Sequence, residues 1–378
     1  MKTLAGMYND RHKNIEGERL AAIHAVGIDA CATCARALRR MIEVRGLSKE
    51  YQLATGLRAL AKGSHRKSLR ALDDVSFTIG NGEVLGLVGE SGSGKSTTGK
   101  LLVGLEDPTS GIVRIAGTDA AAQRKRDRRE FHRQVQMVFQ DPYGSLNPQH
   151  TIGEIVARPL AYQRVADRAD IARRVVAVLE EVGLSPAENF LAKFPHQLSG
   201  GQRQRVCIAR AIVLEPSFLV ADEPISMLDV SIKWDIVRLL KRLVRDRGIS
   251  LLYITHDLAT VSIVCDRIAI MYLGRIVETG PVGHILRSPR HPYTRALLDA
   301  IPSADPDVMR PEPAILGSGG KVHGERSCGF APRCPYADTR CHESPSESRE
   351  PGPRSYTCHS PLPADAPKTG ARTAEAHQ

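Results

Sequence analysis

Residues 89–97 read Gly-Glu-Ser-Gly-Ser-Gly-Lys-Ser-Thr. This fits the pattern G-x-x-x-x-G-K-[ST], with Gly89, Gly94, Lys95 and Ser96 in the fixed places. Glycines let backbone N–H groups turn inward and cup anionic oxygens with no side chain in the way. Glu90, Ser91, Gly92 and Ser93 complete the loop. In the mechanics of this pattern the lysine reaches the β/γ-phosphates of a nucleoside triphosphate and the hydroxyl of Ser96, followed by Thr97, ligates Mg²⁺.

Further groups suit the same chemistry. Phe218-Leu-Val-Ala-Asp-Glu223 is an apolar run ending in two carboxylates. Buried carboxylates are costly unless a cation or a reaction uses them. Asp222 is placed to support Mg²⁺, and Glu223 to polarise a water for attack on the γ-phosphate. Leu251-Leu-Tyr-Ile-Thr-His256 is a second such run, with His256 within reach of the γ-phosphate. Gln140 ends Val135-Gln-Met-Val-Phe-Gln140, and its amide could reach Mg²⁺ and the attacking water. The segment after it, 141–148, is turn-rich and suits a surface that senses a partner.

Leu198-Ser-Gly-Gly-Gln202 is a second phosphate-binding device. Ser199 is a good N-cap, and Gly200 and Gly201 bare the start of a helix. One nucleotide cannot easily use both devices within one subunit. The simplest arrangement is a dimer in which each subunit presents this helix to nucleotide held on the other.

The elements that must position these groups are legible around them. Glu83–Val88 reads as a buried parallel strand and Thr97–Leu105 as a helix. Residues 42–118 are strand-rich, through Ile42–Val44, Asp74–Ile79, Glu83–Val88 and Ile112–Ile115. Residues 166–182 carry an apolar helical stripe closed by Gly183. Helix is predicted over 206–214 and 230–246, strand over 217–221 and 249–254. With no internal repeat, there is one phosphate-loop unit. Met41 opens a strand-like run, so translation could begin there.

The chain has 378 residues and a net charge of +10. The charge admits an anionic neighbour, but 4% aromatic content argues against a base-stacking platform. The basic cluster Arg124–Arg129 reads as a solvated helix face. No uncharged apolar run reaches the ~18–20 residues of a membrane span. Asp10, Glu16 and Glu18 interrupt any leader pattern. The expected location is therefore the cytosol, with membrane contact through a partner.

Cys207 and Cys265 sit in apolar runs and read as packing residues. Cys328-x5-Cys334-x6-Cys341-x16-Cys358 lacks the C-x2-C of a zinc ribbon. Four thiolates in a loop-rich segment suit a [4Fe–4S] cluster, zinc, or no metal at all. Cys31-x2-Cys34 stands isolated.

In order and spacing, Gly89–Thr97, Gln140, Leu198–Gln202, Asp222–Glu223 and His256 resemble ABC-transporter ATPase subunits over roughly residues 42–345. By that resemblance Ser226–Asp229 is the D-loop, with Asp229 at the nucleotide, and Tyr51 stacks on adenine despite the insert Gln52–Arg70. Ile225 and Met227 stand where the family usually has Thr and Ala. Phe139–Pro148, His291–Leu298 and the C-terminal cysteines resemble the oligopeptide/dipeptide importer subfamily, members of which can carry an iron–sulfur cluster.

The implied fold is an α/β P-loop NTPase with a mostly parallel core sheet, an antiparallel β subdomain, a helical signature subdomain and a small Cys-containing C-terminal extension. The implied division is an N-terminal extension over 1–40, an ATPase domain over 41–283 (helical subdomain about 141–210), a transporter-type C-terminal region over 284–360 and a disordered tail over 361–378. The implied activity is ATP hydrolysis that drives dimer closure and powers a membrane importer of di- and oligopeptides. Its cofactors are ATP and Mg²⁺. Its partners are an identical or paralogous ATPase subunit, two membrane permeases and an extracytoplasmic substrate-binding protein, at the cytoplasmic face of the inner membrane. The same machine could carry nickel or glutathione. A nucleic-acid-associated ABC ATPase is the more distant alternative: the charge favours it, but long coiled-coil insertions and a second cassette are lacking.

Overall fold

The computed structural model describes residues 40–52, 68–164, 167–301, 327–343, 347–349 and 354–363. The readings made for residues 1–39, including Cys31 and Cys34, for most of the basic insert and for the end of the tail lie outside the described residues. Contacts divide the chain into units Met1–Arg40 and Met41–Gln378. The second carries everything that follows.

A four-stranded sheet is built from β1 (Arg40–Gln52), β2 (Ser68–Gly80), β4 (Ser110–Ile115) and β5 (Thr118–Asp119), in the order β2-β1-β4-β5. Its β1–β4 and β4–β5 pairings are antiparallel. An eight-stranded sheet holds β3 (Val84–Val88), β6 (Val135–Val138), β7 (Phe218–Asp222), β8 (Ser250–Thr255), β9 (Arg267–Tyr272), β10 (Arg275–Pro281), β11 (Glu347–Arg349) and β12 (Ser355–Thr357). Its order is β11-β12-β10-β9-β3-β8-β7-β6. The run β9-β3-β8-β7-β6 is parallel throughout, and β10, β12 and β11 add on antiparallel.

The residues of β3, β7 and β8 are all buried. That is the consequence of covering both faces of a parallel sheet, and it explains their almost unbroken apolar runs. The period of two still sorts the faces. Leu85, Leu87, Val220 and Ile254 pack with Ile42, Val44, Leu72 and Leu102 on the side of the four-stranded sheet. Val84, Val88, Leu219 and Tyr253 pack with Val206, Ile208, Leu239 and Leu240 on the other.

Of the helices, α1 (Lys95–Leu102) follows β3; it stops because Gly104 turns to φ +69°. Three more helices, α2 (Ile152–Gln163), α3 (Arg168–Glu181) and α4 (Gly200–Ile212), share buried residues in one apolar cluster. Thr151 and Glu154 form a reciprocal cap at the start of α2, and Asp167 caps α3. Helix α5 (Val230–Arg247) ends at Gly248 in the left-handed region.

The predicted elements are found with shifted ends. The helix predicted over 206–214 starts at Gly200, because the Ser199 cap opens it there. Strands β9 and β10 and helix α2 were not anticipated. Pro159 sits inside α2, and a proline mid-helix hides the pattern. Among the described residues, no helix is long and apolar enough to cross a membrane.

Candidate nucleotide site

The site residues cluster at the carboxyl ends of neighbouring parallel strands, where α/β sheets open a crevice. Val88 leads into the glycine loop, Val138 towards Gln140, Asp222 into Glu223 and Thr255 into His256. Register fixes their heights: Val88 pairs with Thr255, and Asp222 with Ile254.

Gly89 admits no side chain. A Cβ there would lie 2.1 Å from the Met271 carbonyl oxygen and 2.8 Å from Ser93 Oγ. Gly94 sits at φ +106°, a conformation that favours glycine. Lys95 then opens α1. It is 4% exposed, and its Nζ donates to the carbonyls of Gly89 (2.8 Å) and Glu90 (2.7 Å). Burial lowers the pKa of its ammonium, while Glu223, Asp222 and Glu90 work to raise it.

Ser96 Oγ donates to Asp222 Oδ1 at 3.0 Å. Asp222 is 5% exposed, and burial pushes its pKa up, with Glu223 adding to the rise while Ser96 and Lys95 oppose it. A buried carboxylate this poorly compensated is what a divalent cation relieves. Ser96, Asp222 and Gln140 offer only hard oxygen donors, which suit Mg²⁺.

The Glu223 carboxylate is held from both sides. Gln140 Nε2 donates to Oε2 at 2.9 Å, and His256 Nδ1 lies 3.1 Å from Oε1. The backbone of Glu223 is left-handed at φ 43°, and its N–H donates to the Ile254 carbonyl at 2.9 Å. Strain of this kind persists where surrounding structure over-determines it. A carboxylate so fixed beside Asp222 and Ser96 can accept a proton from a water at the mouth of the site.

Tyr51 is brought to α1. Its hydroxyl donates to Glu106, Thr97 hydrogen-bonds to it, and Lys49 Nζ lies 5.0 Å from its ring centroid.

Ser199–Gln202 forms a cap closed on itself. Ser199 Oγ accepts from the Gln202 N–H (3.3 Å) while Gln202 Oε1 accepts from the Ser199 N–H (3.0 Å). A Cβ on Gly200 would approach Leu228 and Tyr143, and one on Gly201 would lie 2.5 Å from Ile232. No hydrogen bond among the described residues joins 199–202 to 89–97. Asp229 caps α5 without a side-chain hydrogen bond. Ile225 is buried, whereas Met227 is 56% exposed.

Cys207 and Cys265 are buried, as expected of packing residues. For the C-terminal cysteines the sequence leaves three readings open: an iron–sulfur cluster, zinc, or no metal. Burial raises the pKa values of Cys328, Cys334 and Cys358, and the Cys358 thiol feels Cys328, Cys334 and Cys341. Yet among the described residues no group of three or more His, Cys, Asp or Glu is gathered so as to hold a metal ion. The iron–sulfur and zinc readings are not supported by this arrangement.

Tyr272, Tyr293 and Arg333 were missed. Arg333 pairs with Glu90, and Tyr293 accepts the Glu90 N–H. They lie 243 and 203 positions from Glu90, and no local pattern marks such partners.

The model of the ABC transporter family matches residues 72–226, and that of the oligopeptide/dipeptide transporter C-terminal region matches 277–341. The di/tripeptide transport ATP-binding protein DppF of Pseudomonas aeruginosa is 42% identical over 85% of this chain and 98% of its own. A Brucella ovis protein named for peptide import ATP binding is 43% identical over 82% and 94%. Among solved structures, the dimeric post-hydrolysis cassette MJ0796 bound to ADP and Pi is 29% identical, with TM-score 0.55, covering 64% of this chain and 99% of that one. Glycine loop, carboxylate pair and parallel sheet thus define an ATP-hydrolysing cassette. The chain belongs to the ABC transporter family of ATP-binding subunits.

Proposed function

We propose that this chain powers a membrane importer of di- and oligopeptides. Two cassettes, this one with an identical or paralogous partner, sandwich ATP between the loop 89–97 of one and Ser199–Gln202 of the other. Lys95 grips the phosphates, Tyr51 stacks on the base, and Asp229 faces the seam. Ser96, Asp222 and Gln140 hold Mg²⁺, which neutralises phosphate charge. Glu223 takes a proton from the attacking water, while His256 contacts the γ-phosphate. Hydrolysis reopens the dimer.

The observation that carries this reading is the Glu223 carboxylate, held between Gln140 and His256 and adjacent to Asp222. The lack of any hydrogen bond between 199–202 and 89–97 among the described residues leaves room for a dimer in which each tip meets the other subunit's nucleotide. Residues 41–283 form the engine, with 141–210 as its helical part, and 284–360 the transporter-type region. Peptide as cargo is supported by the relatives' names and by the match over 277–341. A groove of about 560 Å³ lined by Val103, Leu105, Phe139, Asp141, Ser145 and Arg210 suits a cytoplasmic element of a permease. An extracytoplasmic binding protein would deliver the peptide, and the subunit would work at the cytoplasmic face of the membrane.

The test is reconstitution with candidate permeases and binding protein in proteoliposomes. Peptide-stimulated ATP hydrolysis with uptake of labelled peptide is expected. Stimulation by nickel or glutathione alone would reject peptide as the cargo.

A further inference from the structure

Glu90, the second residue of the phosphate loop, is gripped from the C-terminal region by two residues. Arg333 donates from Nη1 to Oε2 at 3.1 Å and from Nη2 to Oε1 at 3.2 Å, a two-pronged ion pair. The Glu90 N–H donates to the Tyr293 hydroxyl at 3.0 Å. Both grips are rigidly mounted. Tyr293 and Phe330 are each 1% exposed. Tyr293 packs 4.5 Å from the Tyr272 ring and 5.4 Å from that of Phe330. Arg333 ends the short turn Ala331–Arg333 that follows Phe330, and its guanidinium lies 5.8 Å from the Phe330 ring. Arg333 Nη1 also reaches the Tyr272 hydroxyl at 3.4 Å.

Glu90 matters to the nucleotide in two ways. Its carbonyl is an acceptor for Lys95 Nζ at 2.7 Å, so its position sets where the ammonium rests. Its carboxylate is an anion in a loop built to receive a polyanion, and like charges repel unless one is neutralised. Arg333 supplies that neutralisation, with a side chain 17% exposed.

We infer that Arg333 and Tyr293 are positioning residues for nucleotide binding: the C-terminal region clamps Glu90, cancels its charge and sets the loop that presents Lys95. The region that distinguishes this chain from a bare cassette therefore tunes its affinity for ATP. The inference rests on residues 89–97 being the ATP site.

The test uses the full chain, titrated with MgATP against a fluorescent ATP analogue and assayed for steady-state hydrolysis. Arg333→Ala should raise both the Kd and the KM for ATP about three- to tenfold, with kcat within about twofold, as befits a partly exposed two-pronged pair. Arg333→Lys, a single point charge, should fall between the two. Adding Glu90→Gln to Arg333→Ala should restore affinity to that of Glu90→Gln alone, because no carboxylate is then left to cancel. A purely structural role predicts no such rescue. Arg340→Ala, in the same region but paired with Asp338, should leave all constants unchanged.

Unaltered affinity in Arg333→Ala, a fall in kcat alone, or failure of the rescue would overturn the inference while leaving the ATP site standing. A wild-type chain that binds no MgATP would overturn both.

Discussion

Gln140 and Glu223 lie 83 positions apart, yet the amide of one donates to the carboxylate of the other across 2.9 Å. The bond crosses from the segment after β6 to the residue after β7, two neighbouring parallel strands. It ties the start of segment 141–148, exposed apart from the buried Pro142 and Leu146 and the half-buried Ser145, to the group proposed to activate water. A displacement of that segment by a partner would therefore be felt by Glu223 directly.

Glu223→Gln keeps the shape of the side chain but cannot take a proton. ATP hydrolysis should fall by at least about a hundredfold, the usual contribution of a positioned base. MgATP binding should persist, and a closed dimer should accumulate with ATP on gel filtration. Ordinary turnover in a phosphate-release assay would remove Glu223 from the chemistry.

Lys95→Ala removes the ammonium that the loop carbonyls now hold. Charge-assisted hydrogen bonds of about 1.5–3 kcal/mol correspond to a loss of ATP affinity of roughly ten- to a hundredfold. Analogue titration would measure it, and the melting temperature of the nucleotide-free protein should change little by comparison.

Gly89→Ala tests the tightness of the loop. Its Cβ would meet the Met271 backbone carbonyl, which cannot swing aside as a side-chain tip can. Overpacking of this kind costs about 1–3 kcal/mol. Denaturant unfolding should show a lowered midpoint and an unchanged slope, together with weakened ATP binding.

His291 supplies a pH signature. It is fully buried, its Nδ1 accepts the Tyr293 N–H at 3.0 Å, and burial lowers its pKa to about 3. The neighbouring Glu278 carboxylate accepts the His291 N–H and pairs with Arg354. An unfolded chain protonates this histidine near pH 6.5, whereas the folded chain refuses the proton until about pH 3. Its contribution to stability is therefore present above pH 6.5 and lost progressively as pH falls through that window. His291→Asn keeps a capping acceptor without the titration. Its melting temperature should decline less between pH 7 and pH 5 than that of the wild type.

The nucleotide loop, the paired carboxylates and the strands that carry them were legible because each is a local pattern. Glycine spacing, apolar runs of strand length and the Ser199 cap are written within a few neighbouring residues. The end of α1 was read as Leu105 where Gly104 had already turned the chain. For the C-terminal cysteines, spacing leaves iron–sulfur, zinc and no metal open, and the described arrangement lends no support to the first two.

Composition and motif order alone pointed to a nucleoside triphosphate site at a glycine loop after a buried strand. Backbone freedom and hydrophobic period are properties of the residues themselves. Packing alone decided that Gln140 and His256 flank Glu223, and that Arg333 and Tyr293 grip Glu90 from over two hundred positions away. Such pairings depend on strand register and on which surfaces fold against each other, and no short stretch of sequence carries that information.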